Sequence, residues 1–176
     1  MLQIKKLTND VKEIEFLKNL YEQSFPIEER RDFAKLKDIY QNHLLELNLI
    51  KLNNELVGLL NYWDFNGFLY IEHLAVSPQY RNRNISSTIL SQLNEKYPLI
   101  ILEVELPTDE LSQRRIKFYQ RNGFSIQPYK YYQPPYRKGE NELEMHIMSN
   151  AKNTIKEHEY QDIIQEIRKK VYEKFW

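Results

Sequence analysis

Residues 76–90 read VSPQYRNRNISSTIL: a strand end, a proline turn, a short basic loop, then apolar residues at helical spacing. A loop that opens a helix in this way presents backbone N–H groups and the positive end of the helix dipole. That is a setting in which a phosphate is held. Such loops are usually built on glycine, which reaches φ > 0 and lets a ligand approach the backbone. This loop has no glycine. Asn82 and Asn84 are the substitutes, because asparagine tolerates the left-handed region next best, at a cost of ~1 kcal/mol. The hydroxyls of Ser86 and Ser87 can join the phosphate shell, and Arg81 and Arg83 add charge that glycine lacks. Arg81, Asn82, Arg83, Asn84, Ile85, Ser86 and Ser87 are therefore expected to bind an anionic group.

The elements around the loop follow from periodicity and breakers. LQIKKL is a short strand. Asp10 caps a helix over 10–24, with Glu13 at the reciprocal position of a capping box and Ile14, Leu17, Leu20 and Tyr21 on one face. Pro26 stops it, and Asp32 caps a second helix over 32–42. Three strand-like runs follow, LELNLIKL, ELVGLLNYW and GFLYIEHLAV, with tight turns at Asn53-Asn54 and Asn66-Gly67. After the loop, Ile85, Ile89 and Leu93 mark a helix face. LIILEVEL is nearly apolar throughout at first, which suits a central strand covered on both sides. A helix over 109–122 closes at Gly123, and FSIQPY and LEMHIMS are two last strands, joined by KYYQPPYRKGEN. From about 153 to 176, Tyr160, Ile163, Ile164, Ile167 and Val171 form one stripe, which predicts a single amphipathic helix. The class is α/β, a mixed sheet flanked by helices.

At 176 residues, one domain with a sizeable core is expected. Acidic and basic residues balance at 25 each, with no basic stripe, which speaks against a nucleic-acid partner. The absence of cysteine excludes a disulfide framework, a thiolate zinc site and a cysteine nucleophile, and fits a reducing compartment. MLQIKKLTND lacks the apolar stretch of a signal peptide, and no window is long enough to span a membrane. A soluble cytoplasmic protein is expected.

LAVSPQYRNRNISSTIL resembles the acetyl-CoA-binding motif of the GNAT superfamily of N-acetyltransferases. That motif reads Arg/Gln-x-x-Gly-x-Gly/Ala and is entered through V-x-P-x-x-R. Asn84 and Ser86 stand where its two small residues stand. RRIKFYQRNGF, residues 114–124, is similar to the family's later A-x-x-F-Y-x-x-x-G-F helix, with Arg115 in place of the small residue. SFPIEERRDF and YYQPPYRKG resemble segments of one branch of the family. The ordered matches span 1–149, so the resemblance implies a GNAT-like acyl-CoA N-acyltransferase domain there, its sheet mostly antiparallel. Residues 150–176 form a C-terminal helical extension outside it.

The resemblance implies acetyl-CoA as cosubstrate, with no metal. Its pantetheine arm would meet backbone groups at Leu74, Ala75 and Val76, and its pyrophosphate the loop at 81–86. It further implies direct attack by a primary amine on the thioester, with no covalent enzyme intermediate. Tyr119 matches the tyrosine that protonates the departing sulfur. Such a reaction needs a base, an oxyanion stabiliser and a proton for the thiolate. Glu72 is the favoured base, as a carboxylate partly buried in a cleft with a raised pKa. Glu103 and Glu105 stand behind it, and His73 reads as structural. Glu28, Glu29, Arg30 and Arg31 read as a solvated helix start that could line the acceptor entrance. Tyr129, Tyr131, Tyr132 and Tyr136, with Pro134 and Pro135, make an aromatic flap or core cover.

The acceptor, a small molecule or a protein amine, is left open. So is a homodimer built on the tail. A non-catalytic acyl-CoA-binding domain and a protein-interaction module on the same fold are the competing functions, since fold alone does not fix function.

Overall fold

Strand β1 (Leu2–Lys6), helices α1 (Val11–Ser24) and α2 (Phe33–Gln41), and strands β2 (Glu46–Leu52), β3 (Glu55–Phe65) and β4 (Phe68–Val76) form the N-terminal half. Then come helix α3 (Ile85–Lys96), strand β5 (Ile100–Glu105), helix α4 (Glu110–Arg121), strands β6 (Ser125–Ile126), β7 (Tyr131–Gln133) and β8 (Leu143–Ser149), and helix α5 (Glu157–Ile167). The computed structural model describes residues 1–42 and 45–175. The class is the one expected: α/β, a mixed and mostly antiparallel sheet flanked by helices, with a helix at the C-terminus. Two compact units are present, Met1–Asp64 with Ile71–Leu93, and Phe65–Tyr70 with Asn94–Trp176.

In the first unit the strand order is β1-β2-β3-β4. Asn53 and Asn54 both take positive φ, 51° and 71°, as a tight turn between β2 and β3 requires. Gly58 on β3 is there because β4 comes close: a Cβ at 58 would sit 2.6 Å from the Ala75 carbonyl oxygen. Asp10 caps α1 by accepting from the Glu13 amide at 3.1 Å. The reciprocal bond expected of Glu13 is not made. Its carboxylate turns instead to Lys5 Nζ (2.5 Å), Thr8 Oγ1 (2.8 Å) and Lys51 Nζ (3.4 Å), while the Asp10 amide donates to Thr8 Oγ1. Two ammonium groups and a hydroxyl outcompete one amide. Burial pushes the Glu13 carboxyl up, but those bonds outweigh it and hold the group at about 2.

In the second unit β8 is the hub. It pairs antiparallel with β5 (Glu103↔Ile147), with β6 (Ser125↔Ser149) and with β7 (Tyr131↔Met145). Strand β7 corrects the expectation of a plain connection between the last two strands. Its three residues lie between Pro128 and Pro134, and these breakers mask a strand too short to show periodicity. Helix α4 closes as expected, with Gly123 at φ 87°.

The tail is not one helix. Residues 150–156 are not helical, and α5 passes into a π turn at Arg168–Tyr172 and a 3-10 turn at Glu173–Phe175. Trp176, also part of the expected helix, lies outside the described residues. The wider π turn lets two consecutive residues, Val171 and Tyr172, both be buried. Ahead of α5, Ile155 is held at both ends of its backbone: its amide donates to Gln127 Oε1 and its carbonyl accepts from Tyr129 Oη, each at 2.9 Å. Of the tail's stripe, Tyr160, Ile167 and Val171 are buried, as is Tyr172, while Ile163 and Ile164 are half-buried.

Candidate active site

Strand β4 leaves the sheet at Val76, and the exit is fixed by the Ser77 amide donating to the Val57 carbonyl at 2.9 Å. Pro78–Tyr80 make a 3-10 turn, and the Arg81 amide donates to the Pro78 carbonyl. The chain then enters the left-handed region twice, at Asn82 (φ 61°) and Asn84 (φ 56°). These are the conformations for which glycine is the usual choice. The Asn84 carbonyl starts α3, accepting from the Thr88 amide at 2.9 Å and from Thr88 Oγ1 at 3.0 Å. The amides of Ile85, Ser86 and Ser87 therefore have no partner within the helix. Arg81–Asn84 are exposed, Ser86 and Ser87 are half-buried, and Ile85 turns into the core.

The two arginines of the loop are placed differently. Arg81 Nε donates back to the Val76 carbonyl at 3.2 Å, tying the loop to the strand end. The Arg83 guanidinium lies 5.2 Å from the centre of the Tyr80 ring, and Tyr80 in turn donates to Glu55 at 2.8 Å. Leu74 and Ala75 are half-buried and Val76 is buried.

Glu72 is not in a partly open cleft. Its side chain is 0% exposed; one carboxylate oxygen accepts from Trp63 Nε1 at 2.6 Å and the other lies 3.3 Å from Arg31 Nε. The residue as a whole is half-buried, so what solvent reaches at position 72 is the main chain. Arg31 corrects a second expectation, since it is buried rather than part of a solvated helix start. Its amide donates to Tyr21 Oη at 2.9 Å, while Arg30 Nε donates to the Phe25 carbonyl. His73 is structural, as expected. Nε2 lies 3.0 Å from the Glu29 carbonyl, and the ring meets Tyr21 and Phe25 edge-on. Burial pushes its pKa down, so the neutral ring donates to that carbonyl.

Tyr119 lies in the second unit on α4, whose start is fixed by a capping box between Asp109 and Ser112. Its ring is buried beside Phe118 (5.2 Å) and Phe124 (5.8 Å). Burial pushes the phenol up to about 12. Arg115, standing where the resemblance has a small residue, pairs with Glu105 on β5.

A cluster around Glu103 was not singled out from the sequence. Glu103 on β5 is half-buried as a residue, and its carboxylate accepts from Tyr131 Oη and Gln133 Nε2 of β7 and, at 2.9 Å, from Tyr172 Oη of the tail. Tyr172 also meets Tyr70 Oη at 3.0 Å, and the Tyr136 ring at 5.1 Å. Burial pushes the Glu103 carboxyl up against the opposing effect of its donors. The local signal was the spacing of Tyr131 and Gln133, two apart and so on one side of a strand. Of the tyrosine-rich segment, Tyr131 and Tyr136 are buried and Tyr132 is exposed.

The chain matches the family model described as the Acetyltransferase (GNAT) family over residues 14–124. A solved structure titled "Putative acetyltransferase from GNAT family", from Bacteroides thetaiotaomicron, is 36% identical with a TM-score of 0.89, covering 97% of this chain and 98% of that one. That coverage leaves too few unmatched residues to exclude the tail, which is thus shared rather than outside the likeness. "Putative acetyltransferase YjbC" of Bacillus subtilis is 28% identical over 103 residues, 57% of this chain and about half (52%) of that protein's length. A GNAT family acetyltransferase from Elizabethkingia anophelis, solved with acetyl-CoA bound, shares the fold at 19% identity and a TM-score of 0.55, covering 84% of this chain and 96% of that one. With its family model matched over more than half its length and a relative similar from end to end, the chain belongs to the GNAT family of acetyltransferases.

Proposed function

We propose that the chain transfers the acetyl group of acetyl-CoA to a primary amine by direct attack. The observation that carries this is the pair of left-handed asparagines, Asn82 and Asn84, which give a glycine-free loop the backbone path of an anion cradle. The pyrophosphate would lie against the amides from Arg81 to Ser86, with the Ser86 and Ser87 hydroxyls and the exposed guanidinium groups of Arg81 and Arg83 around it. The main chain of β4 at Leu74, Ala75 and Val76 would receive the pantetheine amides, with Leu74 and Ala75 half-buried. Tyr119, a phenol held protonated by burial, would supply the proton that the departing thiolate needs. Glu72 has both oxygens engaged and, in this reading, anchors Arg31 and the segment that follows α1. The reaction is placed in the cytoplasm, where a chain without cysteine is at no disadvantage. No helix among the described residues is long and apolar enough to cross a membrane.

The test is calorimetric titration of the protein with acetyl-CoA, beside Asn84→Asp. Micromolar binding that is lost when a carboxylate faces the pyrophosphate is the expected result. A melting scan at a hundredfold excess over the dissociation constant should show ~2.7 kcal/mol of added stability. Absence of binding at millimolar acetyl-CoA, or equal binding by Asn84→Asp, would overturn the assignment of the loop.

A further inference from the structure

We propose that Arg115 is a positioning residue for Tyr119: its guanidinium, braced by Glu105, offsets the negative charge left on the phenol oxygen when Tyr119 gives its proton to the departing thiolate. This deepens the acetyltransferase reading and rests on it. Position 115 is where the chain departs from the helix motif it otherwise resembles, with an arginine in place of a small residue. Arg115 and Tyr119 are four residues apart on α4, so they leave the same face of the helix. Long side chains on a helix lean towards its N-terminus, which carries a tyrosine at 119 over the turn that holds residue 115. Glu105 is the last residue of β5, against which α4 packs, and it pairs with Arg115 Nη1. Both side chains of the pair are partly exposed, 37% and 31%, so either can be replaced without opening the core.

The two charges act on the phenol in opposite senses. Burial pushes it up most; Arg115 pulls it down, and Glu105 pushes it up. Among the described residues these are the two charged groups that bear on it, one from α4 and one from β5. Burial penalises a phenolate far more than a neutral phenol. A cation one turn away therefore acts mainly on the state that follows proton transfer, where the charge develops. Glu105 holds the guanidinium in place and cancels part of its charge. The step balances. The attacking nitrogen bonds to the acetyl carbon, the C–S bond breaks, and the Tyr119 O–H proton goes to sulfur. The proton that the nitrogen then sheds restores the phenol.

The test places 3,5-difluorotyrosine at position 119 alone. Fluorine NMR then follows this one phenol, and the fluorines make it acidic enough to titrate while the protein is folded. Arg115→Gln and Glu105→Gln break the same ion pair. A packing role therefore predicts one common effect, whereas the proposed role predicts opposite ones. The expected titration moves up by about half a unit or more in Arg115→Gln and down in Glu105→Gln, with Arg115→Lys close to the wild type. With ordinary tyrosine and an amine returned by an acceptor screen, Arg115→Gln should also lower kcat roughly threefold to tenfold, since a weaker acid delivers its proton more slowly. The KM for acetyl-CoA should stay unchanged. If Arg115→Gln fails to fold, Glu105→Gln and Arg115→Lys carry the comparison. Shifts of the same sign, no shift, or an unchanged kcat in Arg115→Gln would overturn the proposal. Acetyl-CoA calorimetry on the same samples separates the two claims. Same-sign or absent shifts in a protein that binds acetyl-CoA sink this inference alone. Opposite shifts in a protein that does not bind it sink the transferase reading, and with it the pair's part in proton transfer.

Discussion

Tyr119 keeps its proton across the whole range in which an amine acceptor is usable, because burial lifts the phenol to about 12. In the proposed reaction it would therefore enter as a protonated phenol. Tyr119→Phe should lower kcat by roughly a hundredfold, the lower end for a lost general acid, and leave acetyl-CoA affinity unchanged. Steady-state kinetics on an amine returned by an acceptor screen, with calorimetry alongside, check both halves. Glu13 bears on stability instead. Its carboxyl titrates at about 2 in the folded protein against an ordinary 4.5, so the unfolded chain binds the proton first as pH falls. The contribution is complete above pH 4.5 and is lost on the way down to about 2. Lys5 is largely exposed and its pairing is screened, so Glu13→Gln should cost roughly 1–3 kcal/mol at neutral pH, with the difference gone near pH 2. Denaturant melts at the two pH values decide it. Candidate residues could be named where a motif marks them, as at Tyr119 and the loop. They were not legible where partners come from far along the chain. Nothing local to Glu72 announces Arg31, and nothing local to Glu103 announces Tyr172.

At the scale of elements, the opening of α3 depends on backbone conformation more than on side chains. Asn84→Gly should leave stability within a few tenths of a kcal/mol, whereas Asn84→Val, a β-branched residue forced to φ 56°, should cost ~1–2 kcal/mol and weaken acetyl-CoA binding. The β3–β4 contact is stricter. Gly58→Ala drives a methyl against the Ala75 carbonyl, so a loss of about 1–3 kcal/mol is expected, together with weaker acetyl-CoA binding as β4 shifts. Thermal melts and calorimetry report both. The long strands and α1, α3 and α4 could be read from periodicity and caps. Strand β7 could not, because three residues between prolines carry no period. The π turn could not either, because the apolar stripe predicts that a helix continues and not how wide its last turn is.

For the molecule as a whole, the tail belongs to the second unit's core. Tyr160, Ile167, Val171 and Tyr172 are buried, and burying each side chain of this size is worth about 1.5–3 kcal/mol. Their sum rivals the roughly 5–15 kcal/mol that holds an entire domain together. A chain shortened to residue 156 should therefore lose its cooperative melt by circular dichroism rather than fold as a trimmed enzyme. The element order gave the α/β class, and the motif matches ordered across 1–149 identified the fold from sequence. The tail looked like an addition because its partners, Tyr70, Glu103 and Tyr136, are reached only through the folded chain.

The loop's asparagines have a consequence for the thermodynamics of binding. Asparagine at 82 and 84 has fewer backbone states than glycine would, so the loop gives up less freedom when an anion settles on it. A double Asn82→Gly, Asn84→Gly protein should reach the same bound geometry with a larger entropic penalty, partly offset by a more favourable enthalpy. Its free energy of binding would move little while the balance of heat and disorder behind it changes. If the loop is the anion cradle, asparagine at these two positions would leave it stiffer than glycine before its ligand arrives.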